Sequence, residues 1–146
     1  MVPSLAVEVV SDDVEKDYVY APQRYGEMGV GELIVYDPEP HRGADRIRWQ
    51  VYRRRGDALV LEEEGDADRV RSEALGCWLR VVPDTAGRPL VRLATGIDGD
   101  DLLPTPEEAE RAEKVSERAE KEAERAQRIA LEMQIAELRR KLDERG

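Results

Sequence analysis

An acidic residue inside an apolar run is the first feature of this sequence that could do chemistry. Glu8 lies within residues 5–10, a short run rich in β-branched side chains, and Lys16 and Asp17 follow shortly after it. Carboxylate oxygens are the ligands that Mg²⁺ prefers, and a bound metal can turn water into a nucleophile. If residues 5–10 form a strand covered on both faces, Glu8 faces a packed interior, where an unpaired charge is costly.

The elements that must position these residues follow from the hydrophobic pattern. Residues 5–10 and 33–36 are short apolar runs typical of buried strands, and the polar segment between them has the length of a helix. This order predicts a βαβ unit whose two strands are parallel and adjacent. Pro22 removes a backbone donor, so we expect the helix to break or restart there.

The acidic residues before this helix have two interpretations. Asp12 and Glu15 are spaced as a capping box, and acidic side chains stabilise the start of a helix. Asp12 and Asp13 could also bind a metal ion. We favour capping, because helix-start chemistry accounts for these residue types at this spacing.

The sequence after residue 46 predicts antiparallel strands. Residues 47–53 alternate between apolar and polar side chains and lead through a Gly-Asp turn into residues 58–62. Further short strands are predicted at residues 70–74, 77–82 and 89–94. The basic triplet at residues 53–55 could contact a phosphate backbone, or it could lie at a solvated strand end beside acidic neighbours. We favour the second interpretation.

The spacing of these residues resembles that of a large bacterial restriction endonuclease family within the PD-(D/E)XK nuclease superfamily. The matched residues of the first block are Pro3, Leu5, Val7, Glu8, Val9, Ser11, Asp17, Tyr25, Gly29, Val30, Glu32, Val35, Asp37 and Pro38. A second, weaker block contains Ser72, Leu75, Gly76 and Leu79. The resemblance covers most of residues 3–103. It implies an α/β fold whose restriction-endonuclease-like mixed sheet core occupies residues 1–104, abbreviated at the N-terminus.

The resemblance also implies a chemistry. In this family an Asp and a Glu hold Mg²⁺, and a Lys orients or activates the water that attacks a DNA phosphodiester. Glu8 matches the family Glu as a catalytic and metal-binding residue, with Asp17 as a further metal ligand and Lys16 as the nearest lysine. Ala21 occupies the position of the family Lys, and the family Asp belongs to a segment before Pro3. We therefore expect a site that is incomplete in this chain; the alternative is a non-catalytic binding or assembly module.

Residues 105–146 predict a charged C-terminal coiled-coil helix. Thr105 and Pro106 suit a helix start, and neither Gly nor Pro follows before residue 142. A heptad seam is formed by Leu131, Ile135, Leu138 and Leu142. A stripe of small residues precedes it, at Ala112, Val115, Ala119, Ala123, Ala126 and Ala130. We expect a homo-oligomer through the seam; for the Ala-rich part, a solvated single helix with i,i+4 ion pairs stays open.

Composition limits the partners. The chain has 146 residues with 33 Asp and Glu against 23 Lys and Arg, and a formal net charge of −10. Because binding to DNA depends on neutralising phosphates with basic side chains, this balance disfavours DNA as a partner. Cys77 and His41 are each the single residue of their kind, which excludes an internal disulfide and a Cys/His zinc site. No apolar run is long enough to span a membrane and no signal peptide is evident, which favours a cytoplasmic protein.

Overall fold

The computed structural model describes residues 1–146 and divides into two units, Met1–Leu103 and Pro104–Gly146. The first unit is a mixed α/β fold built on two four-stranded sheets, and the second is dominated by one long helix. The predicted α/β class and the predicted long C-terminal helix are confirmed.

The first sheet contains the predicted βαβ unit. Its strands are β1 (Leu5–Val9), β2 (Glu32–Tyr36), β3 (Trp49–Arg55) and β4 (Ala58–Gly65), in that spatial order. β1 and β2 are parallel, whereas β2, β3 and β4 pair antiparallel, which confirms the predicted arrangement. All five residues of β2 are buried, as expected of a strand covered on both faces.

The segment between β1 and β2 is helical in two parts. A π-helical turn at Lys16–Tyr20 runs directly into α1 (Ala21–Glu27). The amide of Ala21 donates to the carbonyl of Lys16, one residue further back than in an α-helix, and Pro22 follows at the start of α1. The helix therefore does not break at Pro22; what changes there is the hydrogen-bonding pattern, from a π-helical turn to an α-helix. This helical segment covers one face of the first sheet, where Tyr18 and Tyr25 pack against a buried cluster of Val10, Leu33 and Val35.

The second sheet is a simple antiparallel meander. Its strands are β5 (Arg69–Ser72), β6 (Cys77–Pro83), β7 (Pro89–Thr95) and β8 (Asp101–Leu102). The two sheets enclose the main core, which consists of Ile34, Tyr36, Trp49, Val51, Val70 and Leu79. The first unit thus has three layers: the helical segment, the first sheet and the second sheet.

The second unit consists mainly of α2 (Pro106–Asp143), whose 38 residues give a length of about 57 Å. A capping box starts the helix: the Thr105 amide donates to the Glu108 carboxylate at 2.8 Å, and the Glu108 amide donates to Oγ1 of Thr105 at 3.2 Å. Every residue of α2 is exposed. Five i,i+4 ion pairs lie along it, Lys114–Glu110, Lys121–Glu117, Arg128–Glu132, Lys141–Glu137 and Arg140–Glu144. Neither α2 nor α1 is at once long and apolar enough to cross a membrane.

Candidate functional site

Glu8 points from the middle of β1 towards the helical segment and is not alone there. The Tyr25 hydroxyl donates a hydrogen bond to Oε2 of Glu8 at 2.7 Å, and Nη2 of Arg24 lies 3.9 Å from the same oxygen. The Glu8 side chain is 16% exposed. Glu8 therefore does not carry the cost of an unpaired buried charge, because α1 brings both a hydrogen-bond donor and a cation to it.

The opposite face of β1 is also more open than expected. β1 is the edge strand of its sheet, and Val7 and Val9 are 44% and 56% exposed.

The hydrogen bond to Glu8, followed by burial, raises the pKa of Tyr25 above its usual value. Tyr25 is thus a protonated hydrogen-bond donor to Glu8 at neutral pH.

Asp17 is fully buried, and its carboxylate is turned towards the end of β1. Both the amide and the hydroxyl of Ser11 donate to Oδ2 of Asp17, each at 2.7 Å. The other oxygen, Oδ1, has no hydrogen-bond partner, and Nζ of Lys16 lies 3.7 Å from it. Burial raises the pKa of Asp17, but the two Ser11 hydrogen bonds and the Lys16 charge outweigh it, so the net pKa is below the usual value.

The acidic residues before the helix act as a cap, although not in the predicted pairing. Oδ1 of Asp13 accepts a hydrogen bond from the Lys16 amide at 3.2 Å, as an N-cap does. Asp12 is exposed and lies 3.7 Å from Arg42. The predicted capping box of Asp12 and Glu15 is replaced by Asp13, because the helical turn begins one residue later than that pairing requires.

The candidate residues do not form one polar cluster. Glu8 has Tyr25 and Arg24 as partners, whereas Asp17 has Ser11 and Lys16. No group of three or more His, Cys, Asp or Glu side chains is placed to hold a metal ion. Mg²⁺ requires close to six oxygen ligands in octahedral geometry. With one carboxylate, already bonded to a hydroxyl and beside a guanidinium, the residues around Glu8 do not fit Mg²⁺ as a complete site.

A shallow depression of about 230 Å³ lies on the outer face of the helical segment. Its lining includes Lys16, Ala21 and Arg24, but neither Glu8 nor Asp17. Ala21, which the resemblance aligns with the family lysine, contributes no functional group to it. Lys16 is thus the one predicted site residue in the depression, where it lies with Arg24 and the carboxylate of Glu27.

Two further polar clusters are centred on Asp37 and Glu32. Both residues belong to the matched pattern, but the sequence predicted no contact for either of them. The buried Asp37 carboxylate accepts hydrogen bonds from Nε and Nη2 of Arg46 at 2.7 and 2.8 Å and from the Tyr18 hydroxyl at 2.7 Å. Burial, followed by the Asp37 hydrogen bond, raises the pKa of Tyr18 to about 12. This cluster fastens the loop after β2 to the helical segment.

The second cluster joins the two sheets. Glu32 of β2 is buried and accepts hydrogen bonds from the Ser72 hydroxyl at 2.5 Å, the Glu73 and Ala74 amides at 3.0 and 3.1 Å, and Nε of Arg53 at 3.1 Å. Burial raises the pKa of Glu32, but these hydrogen bonds outweigh it and the net pKa is below the usual value. Glu32 belongs to the first matched block and Ser72 to the second. Their membership of these blocks was the one feature of the sequence that could have indicated this contact.

The basic triplet is used inside the unit. Arg53 bonds to Glu32, Glu62 and the Arg71 carbonyl. Arg54 donates to the carbonyls of Val30, Gly26 and Asp57, and Arg55 donates to Glu62. The acidic neighbours of the favoured interpretation are present, but the strand end is not solvated throughout: the Arg53 side chain is 12% exposed, whereas that of Arg55 is 58% exposed.

Comparisons with known proteins add no assignment: no family model matches the chain, and no curated protein matches its sequence. The family resemblance rests on the residue pattern alone.

Proposed function

We propose that this chain is an assembly module: a restriction-endonuclease-like unit that is catalytically incomplete by itself, joined to a coiled coil that associates copies of the chain. One observation carries the proposal. α2 has no buried residue, yet its last turns present Leu131, Ile135, Leu138 and Leu142 on one face at 58%, 48%, 61% and 69% exposure.

The energetics of α2 favour a partner on that face. The i,i+4 ion pairs account for a solvated helix, at about 0.3–0.5 kcal/mol each. They do not explain why four large aliphatic residues occur in heptad spacing on one face of that helix. Complete burial of each such side chain stabilises an interface by about 1.5–3 kcal/mol, which makes the seam the strongest association surface on the helix.

The contacts around Glu8 support the non-catalytic part of the proposal. The one acid of the pattern that lies on β1 is held by Tyr25 and Arg24, and Ala21 stands where the family has its lysine. Asp17 bonds to Ser11 and Lys16 rather than to Glu8. The internal use of residues 53–55 and the net charge of −10 also argue against a DNA-binding surface.

Sedimentation equilibrium on the full chain tests the assembly. We expect a dimer or larger oligomer, and a monomer after Leu138→Glu combined with Leu142→Glu. The matched control is Met133→Glu combined with Ala136→Glu, which adds the same charge on the opposite side of the helix and is expected to leave the oligomer intact. A monomeric unmutated chain at about 50 µM would contradict the proposal, since modest interfaces have micromolar dissociation constants.

Metal-dependent hydrolysis of DNA is the second candidate function. Its supporting observation is the position of Glu8, central in β1 and matched to the family Glu, with the Tyr25 hydroxyl 2.7 Å away. The missing ligands and lysine would have to come from outside this chain. Plasmid nicking with Mg²⁺ or Mn²⁺ distinguishes this function from the assembly module.

A further inference from the structure

The seam of α2 and its stripe of small residues lie on different faces. At about 100° per residue along an α-helix, the centre of the seam is about 120° around the helix from the centre of the Ala-rich stripe. A straight pairing through the seam therefore does not bury the stripe. The relative direction of two paired helices is consequently decided by the residues next to the seam rather than by the stripe.

A parallel, in-register pair places like charges together. The heptad positions of the seam continue towards the N-terminus as Arg128, Glu124, Lys121 and Glu117. In a parallel dimer each of these side chains faces its own copy at a core position, where like charges repel. The residues that flank the seam, at the e and g positions of the heptad, offer no compensation. In a parallel pair Gln134 faces the partner's Arg139 and Gln127 faces the partner's Glu132, so neither contact is an ion pair.

An antiparallel pair removes these conflicts. It places Leu131 opposite the partner's Leu142 and Ile135 opposite the partner's Leu138, so all four seam residues of each copy are covered. The e positions then pair Glu132 with the partner's Arg139, twice because of the twofold symmetry. Both side chains are exposed; Arg139 makes no ion pair within its own chain, and Glu132 makes one exposed contact there, with Arg128 at 3.8 Å. The only like-charge pair is Arg128 with Arg145, which lies beyond the last residue of α2.

We propose that two copies of the chain pair antiparallel through residues 131–142, with Glu132–Arg139 ion pairs selecting this direction. The inference rests on the proposed assembly function and adds the partner and its orientation: a second copy, joined tip to tip. The two helix starts, at Pro106 of each copy, are then about 90 Å apart.

A charge-swap series tests the ion pair. Sedimentation equilibrium is measured for Glu132→Arg, Arg139→Glu and the double variant. Each single change is expected to raise the dimer dissociation constant roughly fivefold or more, because it converts two attractive contacts into repulsive ones; the double variant restores it to within about twofold. A double variant as weak as the sum of its singles would overturn the proposal, since a parallel pair does not couple these positions.

A distance measurement tests the direction independently. A spin label on Ser116→Cys, in a Cys77→Ala background, is expected to give a distance of about 60 Å in the antiparallel dimer and under about 20 Å in a parallel one. A dimer with the short distance overturns the orientation alone. A monomer in sedimentation overturns the assembly function and the orientation with it. The charge-swap series retains Cys77, so it remains decisive if the Cys77→Ala background does not fold.

Discussion

The hydroxyl of Tyr25 lies 2.7 Å from Oε2 of Glu8, although the two residues belong to different elements and are 17 positions apart. β1 supplies the carboxylate, and α1, which crosses the same face of the sheet, supplies the donor. With Arg24 3.9 Å away, this contact turns an acid that would be costly to bury into a tie between helix and sheet.

Tyr25→Phe is expected to lower the free energy of unfolding by about 1–2 kcal/mol, because a partly buried carboxylate loses its hydrogen bond. Glu8→Gln is expected to cost less, since its amide oxygen still accepts from Tyr25. Urea unfolding gives both values. Tyr20→Phe is the matched control: Tyr20 lies in the same segment and is exposed, so its hydroxyl should contribute little. Equal effects at residues 20 and 25 would contradict a stabilising role for the contact.

The unmodified chain is expected not to nick plasmid DNA with Mg²⁺ or Mn²⁺, and to bind either ion weakly at most. Each 1.4 kcal/mol of lost transition-state stabilisation lowers a rate about tenfold, and under the proposed resemblance no residue of this chain matches the family's partner Asp or its lysine. Calorimetric titration of Mg²⁺ should show that any weak binding disappears in Glu8→Gln.

The outcome that contradicts incomplete catalysis is robust nicking that Glu8→Gln abolishes. Asp12, Asp13, Asp17 and Lys16 would then be the residues to substitute next. Trace nicking that is equal in the Glu8→Gln variant indicates a contaminating nuclease and agrees with the assembly module.

Local patterns were sufficient to predict most of the fold. Alternation and turn residues placed β1, β2 and the strands after residue 46, because each signal lies within a few neighbouring residues. They did not predict the division into two sheets. That division depends on whether β4 pairs with β5, and the sequence of residues 66–68 between them reads as a turn in either case. β8, only two residues long, was too short to show a period.

The site was predicted less well, because its contacts join residues that are distant in the sequence. Glu8, Lys16 and Asp17 were identified as residue types, but their partners depend on how the helical segment crosses the sheet. Asp17 turns to Ser11, at the end of β1, and not towards Glu8. The contact of Glu32 with Ser72 joins residues 40 positions apart, and no local spacing encodes such a distance.

Acid is expected to destabilise the first unit through its buried carboxylates. The pKa of Glu32 lies below its usual 4.5, and the pKa values of Asp17 and Asp37 lie below the usual 3.8. A lowered native pKa means that the unfolded chain binds the proton more readily, so each contribution is complete above the unfolded pKa and is lost as pH falls through the native one. Urea unfolding across pH should therefore show stability falling from about pH 4.5 downwards.

Glu32→Gln tests how much the Glu32 carboxylate alone contributes to this acid dependence. It should lower stability at pH 7, because Arg53 and Ser72 lose a charged acceptor, and it should make the acid dependence shallower. Glu63→Gln, at an exposed position of β4, is the control and should change neither. An unaltered pH slope in Glu32→Gln would show that Glu32 keeps an ordinary pKa in the folded chain.

Gly99 is expected to be far less tolerant of substitution than another glycine of similar backbone conformation. Gly99 has φ +71° and Gly56 has φ +62°, so an alanine at either position costs about 1–2 kcal/mol for the left-handed conformation. At Gly99 an added Cβ would also come within 2.6 Å of Cγ of Trp78, whereas at Gly56 it meets nothing within 4 Å. Trp78 cannot simply turn away, because its indole N–H donates to the Gly96 carbonyl at 3.2 Å.

Gly99→Ala should therefore cost about 1–3 kcal/mol more than Gly56→Ala in urea unfolding. Equal costs would mean that the loop before β8 moves away from the indole without penalty.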